Sequence, residues 1–270
     1  MLRWCTWNLW AIGPELRARS DAARTVLSQL EPDLCCLQEV RADSSIDVAV
    51  ELADALGLHV ARGPAVGADW WSDRVGEALR VDNVVLSRWP IEECDVVSLP
   101  CRPGTAEVRS ALVTRVASPE GPLRVVSLQL SSSPLDSAVR MDQLEVLADA
   151  IVTTGRGDET VLVAGDVNAE PDSDEVRRFC GHKTAPMRDG FVVLDLWRYA
   201  EPGDPGWTWD RANPHVLATR EPSSRIDHLM VGPTPTGAMP AVHRVERFAA
   251  HDVDGVWASD HAGVVADLEI

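Results

Sequence analysis

The chain has 270 residues, of which 45% are hydrophobic and 25% are charged, a globular balance that fits one large domain or two small ones. Its formal net charge is −17 and Lys183 is its only lysine, so it lacks the basic stripe of a protein that binds long nucleic acids. It also lacks an apolar run of roughly 18 residues and a signal-peptide pattern. These features favour a cytoplasmic protein with no membrane span, and they leave the oligomeric state open.

Short apolar strand-like runs alternate with helical segments along the whole chain. Helix 20–30, with Ser20 or Asp21 as its N-cap, shows an apolar face with helical spacing, and Gly57 closes helix 45–56. The third predicted helix is 136–151. The predicted strands are 2–7, 33–40, 83–88, 109–116, 123–130, 160–164, 225–231, 242–248 and 263–270.

The segments between these elements argue for a single domain. No linker is rich enough in Pro, Gly or Ser to divide the chain, so we predict one domain over residues 1–270. Residues 63–82 are polar and rich in glycine, which predicts a long loop of the kind that often carries function. The number of strands and helices favours two sheets packed face to face with helices outside them.

Oxygen-bearing side chains recur at the ends of the predicted strands. Taken one at a time, Asp and Asn in such places are ordinary turn formers. Taken together, they form a set of hard oxygen ligands that suits Mg²⁺ or Mn²⁺ better than zinc. The set contains Asn8, Glu39, Asp166, Asn168, Asp227 and Asp260, with His261 beside the last of them.

Five short motifs in this order resemble the signature of the endonuclease/exonuclease/phosphatase superfamily, and they span nearly the whole chain. The Gly-Asp-x-Asn motif alone is moderate support, whereas five motifs in the right order are strong support. The resemblance implies an α/β (α+β) four-layer sandwich, in which two mixed β-sheets pack face to face and helices cover both outer faces. The motifs are Thr6-Trp-Asn8, Leu37-Gln-Glu39, Gly165-Asp-Val-Asn168, Ser224-Arg-Ile-Asp227 and Ser259-Asp-His261.

The resemblance also implies a metal-dependent phosphoesterase with Mg²⁺ or Mn²⁺ as its cofactor. Glu39 is then the main metal ligand, and Asn8 and Asp260 complete the coordination shell, partly through water. Few direct ligands are expected, because Mg²⁺ keeps several of its waters.

The remaining motif residues receive catalytic roles by the same resemblance. Asp166 aligns and deprotonates the attacking water, and Asn168 holds that water or the phosphate. His261 contacts the phosphoryl oxygens, and Asp227 orients its ring as a carboxylate partner.

The pattern departs from many family members at Gln129, which stands in the segment Val126-Ser-Leu-Gln129 where they carry a histidine. Glutamine donates a hydrogen bond but transfers no proton near neutral pH. Help for the leaving group would then come from a metal-bound water, or the substrate would need a good leaving group. Arg109 opens a strand and is a candidate phosphate contact, with a solvated strand end as the alternative.

Tryptophans in loops are the candidate substrate contacts, because the chain has ten Trp against one Tyr and three Phe. Trp70 and Trp71 lie in the long loop, and Trp207 and Trp209 lie before the strand at 225–231. An indole offers a flat apolar face to a base, sugar or acyl group, although many of these side chains would serve as well in the core.

Three functions stay open from the sequence. The first is hydrolysis of a small phosphomonoester or phosphodiester, which the acidity of the chain favours. The second is a DNA or RNA endonuclease or exonuclease, which needs a basic cleft that the sequence does not suggest. The third is a non-hydrolytic relative, suggested by Gln129, that keeps the metal pocket but runs other chemistry.

Overall fold

The computed structural model describes residues 1–65, 78–105 and 108–270, which form strands, α-helices and a short 3₁₀-helix at Leu196–Tyr199. The strands are β1 Leu2–Asn8, β2 Leu34–Ala42, β3 His59–Pro64, β4 Arg80–Ser87, β5 Ile91–Leu99, β6 Arg109–Ser118, β7 Gly121–Gln129, β8 Thr160–Asp166, β9 Leu194–Asp195, β10 Asp227–Val231, β11 Ala241–Phe248 and β12 Gly263–Glu269. The helices are α1 Leu16–Leu30, α2 Val48–Leu56, α3 Ser137–Thr154, α4 Asp174–Cys180 and α5 Pro214–Thr219.

The strands form two six-stranded sheets. The first has the order β11–β12–β1–β2–β4–β3, and the second has the order β5–β6–β7–β8–β10–β9. Strands β1 and β2 are parallel, as are β7 and β8, whereas the other neighbouring strands are antiparallel. Both sheets are therefore mixed, as the family resemblance implies.

Three apolar clusters separate four layers. The central cluster lies between the sheets and contains Trp4 and Leu229. Leu27 and other side chains of α1 and α2 pack on the outer face of the first sheet. Leu147 of α3 and Phe179 of α4 pack on the outer face of the second sheet. The predicted four-layer sandwich is confirmed.

The strand register brings the motif residues to one edge of the molecule. Across β7, β8 and β10, Gln129 pairs with Asp166, which in turn pairs with Asp227. In the first sheet Asn8 pairs with Gln38, the residue before Glu39. A left-handed backbone at Glu39, with φ of 52°, coincides with a register shift between β2 and β4.

Two predicted helix starts are wrong. Helix α1 begins at Leu16, so Ser20 and Asp21 are internal, because buried Arg19 binds the backbone carbonyls of the preceding turn and holds the first turn of the helix without a capping side chain. Helix α2 begins at Val48, since Asp47 accepts a hydrogen bond from Val50 N and acts as the N-cap. No helix in the described ranges is long and apolar enough to cross a bilayer.

Strands β3 and β5 were not predicted, because each lies at a sheet edge and carries many exposed residues that break the apolar pattern. Strands β3 and β4 replace the two ends of the predicted loop at 63–82, since β3 runs to Pro64 and β4 begins at Arg80. Trp70 and Trp71 lie outside the described residues.

Candidate active site

A cleft of about 350 Å³ lies where the ends of both sheets meet. Its lining combines the oxygen-bearing motif residues with apolar side chains. The motif residues on its wall are Glu39, Gln129, Asp166, Asn168, Asp260 and His261. The apolar and aromatic residues on its wall are Trp10, Ile12, Trp209 and Ile226.

Carboxylates and amides form one hydrogen-bonded network in this cleft. Asn8 Nδ2 donates to Asp166 Oδ2 at 3.0 Å, and Gln129 Nε2 donates to Glu39 Oε1 at 2.6 Å. The same Gln129 nitrogen lies 3.4 Å from Asp166 Oδ2. The backbone N–H of Ala11 donates to the second Glu39 oxygen at 3.1 Å. Side chains from four strands therefore meet within hydrogen-bonding reach.

The turn after β8 is shaped by its sequence, Gly165-Asp-Val-Asn168. Gly165 has φ of 148°, and a Cβ there would lie 1.9 Å from the backbone oxygen of Leu128, so only glycine fits. Asn168 has a left-handed backbone, its N–H donates to Asp166 Oδ1 at 3.0 Å, and its side-chain amide donates to Leu130 O. These bonds hold the Asp166 carboxylate in one orientation.

His261 is held from several directions. Its Nδ1 lies 2.8 Å from Asp227 Oδ2, and its backbone N–H donates to Ser259 Oγ at 3.1 Å. The Trp209 ring packs against the imidazole in a T-shaped arrangement, with 5.0 Å between the ring centroids. Although burial opposes protonation, the nearby carboxylates, led by Asp227, raise the pKa of His261 well above its ordinary value. The ring is therefore positively charged near neutral pH, with Nδ1–H bound to Asp227.

The carboxylates on the described wall of the cleft outnumber its one basic side chain, His261, which neutralises them only in part. Burial, with a smaller contribution from the negative charge of Asp227, raises the pKa of Asp166 to about 6. Burial and the charge of Glu39 raise the pKa of Asp260 to about 7. Asp227 Oδ1 is buried and has no hydrogen-bond partner among the described residues.

These observations fit a hard divalent cation. The donors are carboxylate and amide oxygens, and the excess negative charge is what such an ion would neutralise. Ligand atoms of Asp166, Asp227 and His261 lie within 4.8 Å of one another. The Nδ1 of His261 is already engaged by Asp227, and Asn8, Glu39 and Asp260 stay the predicted ligands.

Of the predicted substrate contacts in the described residues, one lies on the wall of the cleft and two do not. Trp209 lines the cleft. Trp207 is 40% exposed and is not among the described lining residues; its backbone oxygen instead accepts a bond from Arg247. Arg109 is also absent from that wall, because it is buried and donates from Nη1 to Gln129 Oε1 at 2.8 Å.

Several residues that hold the site received no role from the sequence. Ser259 Oγ donates to Asn8 O at 2.6 Å and so ties the His261 segment to β1. Thr208 Oγ1 accepts the backbone N–H of Asp227, and Asn213 Nδ2 donates to Ser259 O. Ser259 belongs to the Ser259-Asp-His261 motif, so the sequence did offer a signal for its role. Thr208 and Asn213 act across long sequence separations and leave no local pattern.

The sequence model of the Endonuclease/Exonuclease/phosphatase family matches residues 5–261 of this chain. No curated protein sequence matches the chain significantly. Its fold is similar to that of several solved structures. TDP2 from Caenorhabditis elegans is 18% identical with a TM-score of 0.73, and the match covers 100% of this chain and 97% of that one.

D. rerio TDP2 complexed with a single-strand DNA product is 20% identical with a TM-score of 0.76, covering 100% and 99% of the two chains. An endonuclease/exonuclease/phosphatase from Beutenbergia cavernae is 24% identical with a TM-score of 0.73, covering 100% of this chain and 71% of that one. These structural likenesses concern the fold, whereas the sequence match spans all five motifs. The chain belongs to the Endonuclease/Exonuclease/phosphatase family.

Proposed function

We propose that this protein is a divalent-metal-dependent hydrolase that cleaves a small phosphomonoester or phosphodiester. The observation that carries the proposal is the meeting of Glu39, Asp166 and the Asp227–His261 pair in one cleft. Family membership supports the same reaction class. The substrate is argued from the walls of the cleft.

Asp166 is the proposed general base. Its two oxygens are oriented by Asn8 and by the N–H of Asn168, and a carboxyl with a pKa of about 6 is largely ionised at neutral pH yet still basic enough to accept a proton from water. A buried carboxylate held close to the attacking water accelerates the reaction through its fixed position as well as through its basicity. Asn168 would help to hold that water or the phosphate.

His261 is the proposed contact to the phosphoryl oxygens. With Nδ1 held by Asp227, its Nε2 is the ring nitrogen that remains for the substrate. A charged imidazole at that position stabilises negative charge that develops on phosphoryl oxygens during attack. Asp227 keeps the ring oriented and charged, so it acts as a positioning residue.

Glu39, Asn8 and Asp260 are the proposed ligands of Mg²⁺ or Mn²⁺. When bound, such an ion neutralises negative charge on the phosphoryl group and assists the departing oxygen. Glu39 is well placed for a ligand because Gln129 and the N–H of Ala11 fix one oxygen each.

Gln129 limits which leaving groups the protein can serve. Arg109 donates to the amide oxygen, so the NH₂ group is directed to Glu39 and Asp166, and an amide has no proton to give a leaving group near neutral pH. The site therefore favours a substrate whose leaving group departs as a stable anion, that is, one whose conjugate acid has a low pKa.

A small substrate fits the walls of the cleft better than a long polyanion. None of the described residues on the wall is Arg or Lys, and Glu221 adds a negative charge. Trp10, Ile12 and Trp209 offer apolar contact to an organic group beside the phosphate.

A second candidate is cleavage of single-stranded nucleic acid. Trp10 and Trp209 supply indole faces on which bases could stack, a mode of binding that tolerates any sequence. Two observations weigh against it, namely the net charge of −17 and the absence of a basic residue other than His261 on the described wall.

The test is a metal-dependent activity screen. Bis(p-nitrophenyl) phosphate, p-nitrophenyl phosphate, a single-stranded oligonucleotide and a plasmid are incubated with the protein in Mg²⁺, in Mn²⁺ and in EDTA. Turnover of a nitrophenyl ester that EDTA abolishes supports the first candidate, and faster cleavage of the oligonucleotide supports the second. Binding of Mn²⁺ without cleavage of any ester favours the non-hydrolytic alternative and contradicts both.

Two variants separate metal binding from chemistry. Glu39→Gln is expected to raise the metal concentration needed for half-maximal activity, because it removes a charged ligand. His261→Ala is expected to abolish turnover while Mn²⁺ binding, followed by electron paramagnetic resonance, is largely kept. Both variants remaining as active as the wild type would refute the assignment of the site.

A further inference from the structure

A second cavity, of about 200 Å³, lies beside α4, β9 and the 3₁₀-helix, and it shares no lining residue with the cleft. Basic side chains converge on it: Arg177, His182, Arg198 and Arg225 all line it, and Asp195 is the only acidic residue on its described wall. Such a concentration of positive charge stands out in a chain with a net charge of −17.

The single carboxylate of this wall is already used. Arg225 makes a two-pronged ion pair with Asp195, at 3.2 and 2.8 Å, and His228 Nδ1 lies 3.4 Å from the same carboxylate. Burial alone would raise the pKa of Asp195, but the hydrogen bonds and charges of His228 and Arg225 hold that pKa below its usual range. Asp195 therefore has little capacity left to neutralise Arg177 or Arg198.

The outer basic side chains lack a strong acidic partner. Arg198 is paired with no carboxylate in the part of the chain that the structure describes; its Nη1 lies 2.7 Å from Nε2 of His182, another basic group. Arg177 contacts Asp174, whose side chain is 74% exposed, so solvent weakens that pair. Burial and the charges of Arg198, Lys183 and Arg177 lower the pKa of His182, which keeps its ring neutral.

The remaining wall is apolar. Val176, Cys180, Val192 and Val193 line the same cavity beside the basic groups. Guanidinium groups donate several hydrogen bonds in a planar fork that suits phosphate oxygens, and the tetrahedral phosphate has more oxygens to engage several forks than a carboxylate has.

We propose that this cavity binds a small anion that carries a phosphate group attached to a short apolar body. Arg177 and Arg198 hold the phosphate at the mouth, Arg225 marks its inner end, and the valines contact the apolar body. The site is separate from the cleft and needs no metal ion.

The probes are phenyl phosphate and inorganic phosphate, added to the full chain in EDTA at constant ionic strength. Binding is followed by isothermal titration calorimetry and located by amide chemical shifts in NMR spectra. We expect saturable binding of phenyl phosphate with a Kd on the order of 1 mM or tighter, and shifts that centre on residues 177–182 and 192–198. Inorganic phosphate is expected to bind several-fold more weakly, because it does not use the apolar wall.

The test variant is Arg177→Gln combined with Arg198→Gln, and its charge-matched control is Arg17→Gln combined with Arg24→Gln on α1. All four arginine side chains are at least one-third exposed, so both double variants are expected to fold. The test variant should weaken binding by about tenfold or more, and the control by less than about twofold.

Three results would overturn the proposal. The first is the absence of saturable binding to the wild type, and the second is an equal loss of affinity in the test variant and the control, which would mean a diffuse charge effect. The third is a set of shifts centred on the cleft residues. Equal affinities for phenyl phosphate and inorganic phosphate would contradict the part of the proposal that gives the ligand an apolar body. Hydrolysis in the cleft is tested separately, by the metal-dependent activity screen.

Discussion

The two ends of strand β8 bury acidic groups in opposite ways. Glu159, which precedes the strand, is 8% exposed and lies between two guanidinium groups, from Arg115 and from Arg124, whose Nε is 2.7 Å from Glu159 Oε2. Asp166, which ends the strand, is 1% exposed and shares its surroundings with Glu39, Asp227 and the imidazole of His261. At one end the buried carboxylate lies between two arginines, and at the other several carboxylates share one imidazole.

The pKa shifts follow the charge balance. At the first end burial is outweighed by Arg124 and Arg115, and the pKa of Glu159 is lowered. At the other end burial and like charges act together, and the pKa of Asp166 rises to about 6. A buried carboxylate paired with arginines serves to stabilise the fold. Buried carboxylates that share one imidazole repel one another, and a bound cation would relieve that repulsion.

The largest expected effect is on turnover at the carboxylate-rich end. Asp166→Asn removes the proposed base, so kcat should fall by about 10²–10⁴-fold while the circular dichroism spectrum is unchanged. The matched control is Asp158→Asn, the same change in a carboxylate that is 57% exposed near the start of β8, which should leave kcat unchanged. If Asp166→Asn kept its turnover, the distinction between the two ends would no longer mark function.

The next effect concerns stability at the arginine-rich end. Glu159→Gln leaves the guanidinium groups of Arg115 and Arg124 without their shared partner, so the free energy of unfolding should fall by about 2–4 kcal/mol, measured by urea denaturation. The control is Glu145→Gln, an exposed residue of α3. Specific activity of the folded protein should be unaffected. A fall in activity without a fall in stability would contradict the scaffold role.

A smaller effect is expected at Arg109, which tests whether it acts through Gln129. Gln129→Leu and Arg109→Gln should each lower kcat/KM by about tenfold, as is usual for residues that orient metal ligands. In the double variant the loss should be close to that of Gln129→Leu alone, because the proposed effect of Arg109 on activity passes through its bond to Gln129. Losses that simply multiply would assign Arg109 an independent role, such as the phosphate contact that the sequence suggested.

The sequence was sufficient to predict the sandwich, and several of the residues that it singled out, such as Glu39, Asp166 and His261, line one cleft, while their roles stay predictions. Five motifs, each beside an apolar strand, fixed which side chains lie at strand ends, and the strand register then brought Gln129, Asp166 and Asp227 into adjacent positions. Such predictions succeed because strand pattern and turn chemistry are local properties of the chain.

The parts that sequence reasoning missed depend on contacts between distant segments. The start of α1 depends on Arg19 bonding to carbonyls of the preceding turn, so no capping residue announces it. The role of Arg109 depends on its contact with Gln129 on another strand, which an arginine at a strand start does not reveal. Edge strands β3 and β5 escaped because their exposed residues obscure the alternation.

The smallest expected effect is the pH dependence of stability in the metal-free protein. A carboxyl whose folded-state pKa is raised favours the protonated form of the folded protein, so stability falls as pH rises from about 4 towards the pKa of about 7 of Asp260. The raised pKa of His261 acts in the same direction, because its contribution is full below 6.5 and is lost at higher pH. Glu159, with its lowered pKa, loses its contribution only below its ordinary value of 4.5.

The interval from about pH 5 to about pH 8 therefore isolates the cleft from the arginine-rich end. In EDTA, Tm should fall across this interval, and Asp260→Asn should reduce the fall by about 2–4 °C, since it removes one buried charge. Asp54→Asn, on the exposed face of α2, is the control and should leave the slope unchanged. Saturating Mg²⁺ should flatten the wild-type profile but not that of Asp260→Asn, because the ion needs the ionised ligand. A Tm that rises with pH in EDTA would mean that protein groups already neutralise these carboxylates, and the case for a metal ion in the cleft would then lose its electrostatic basis.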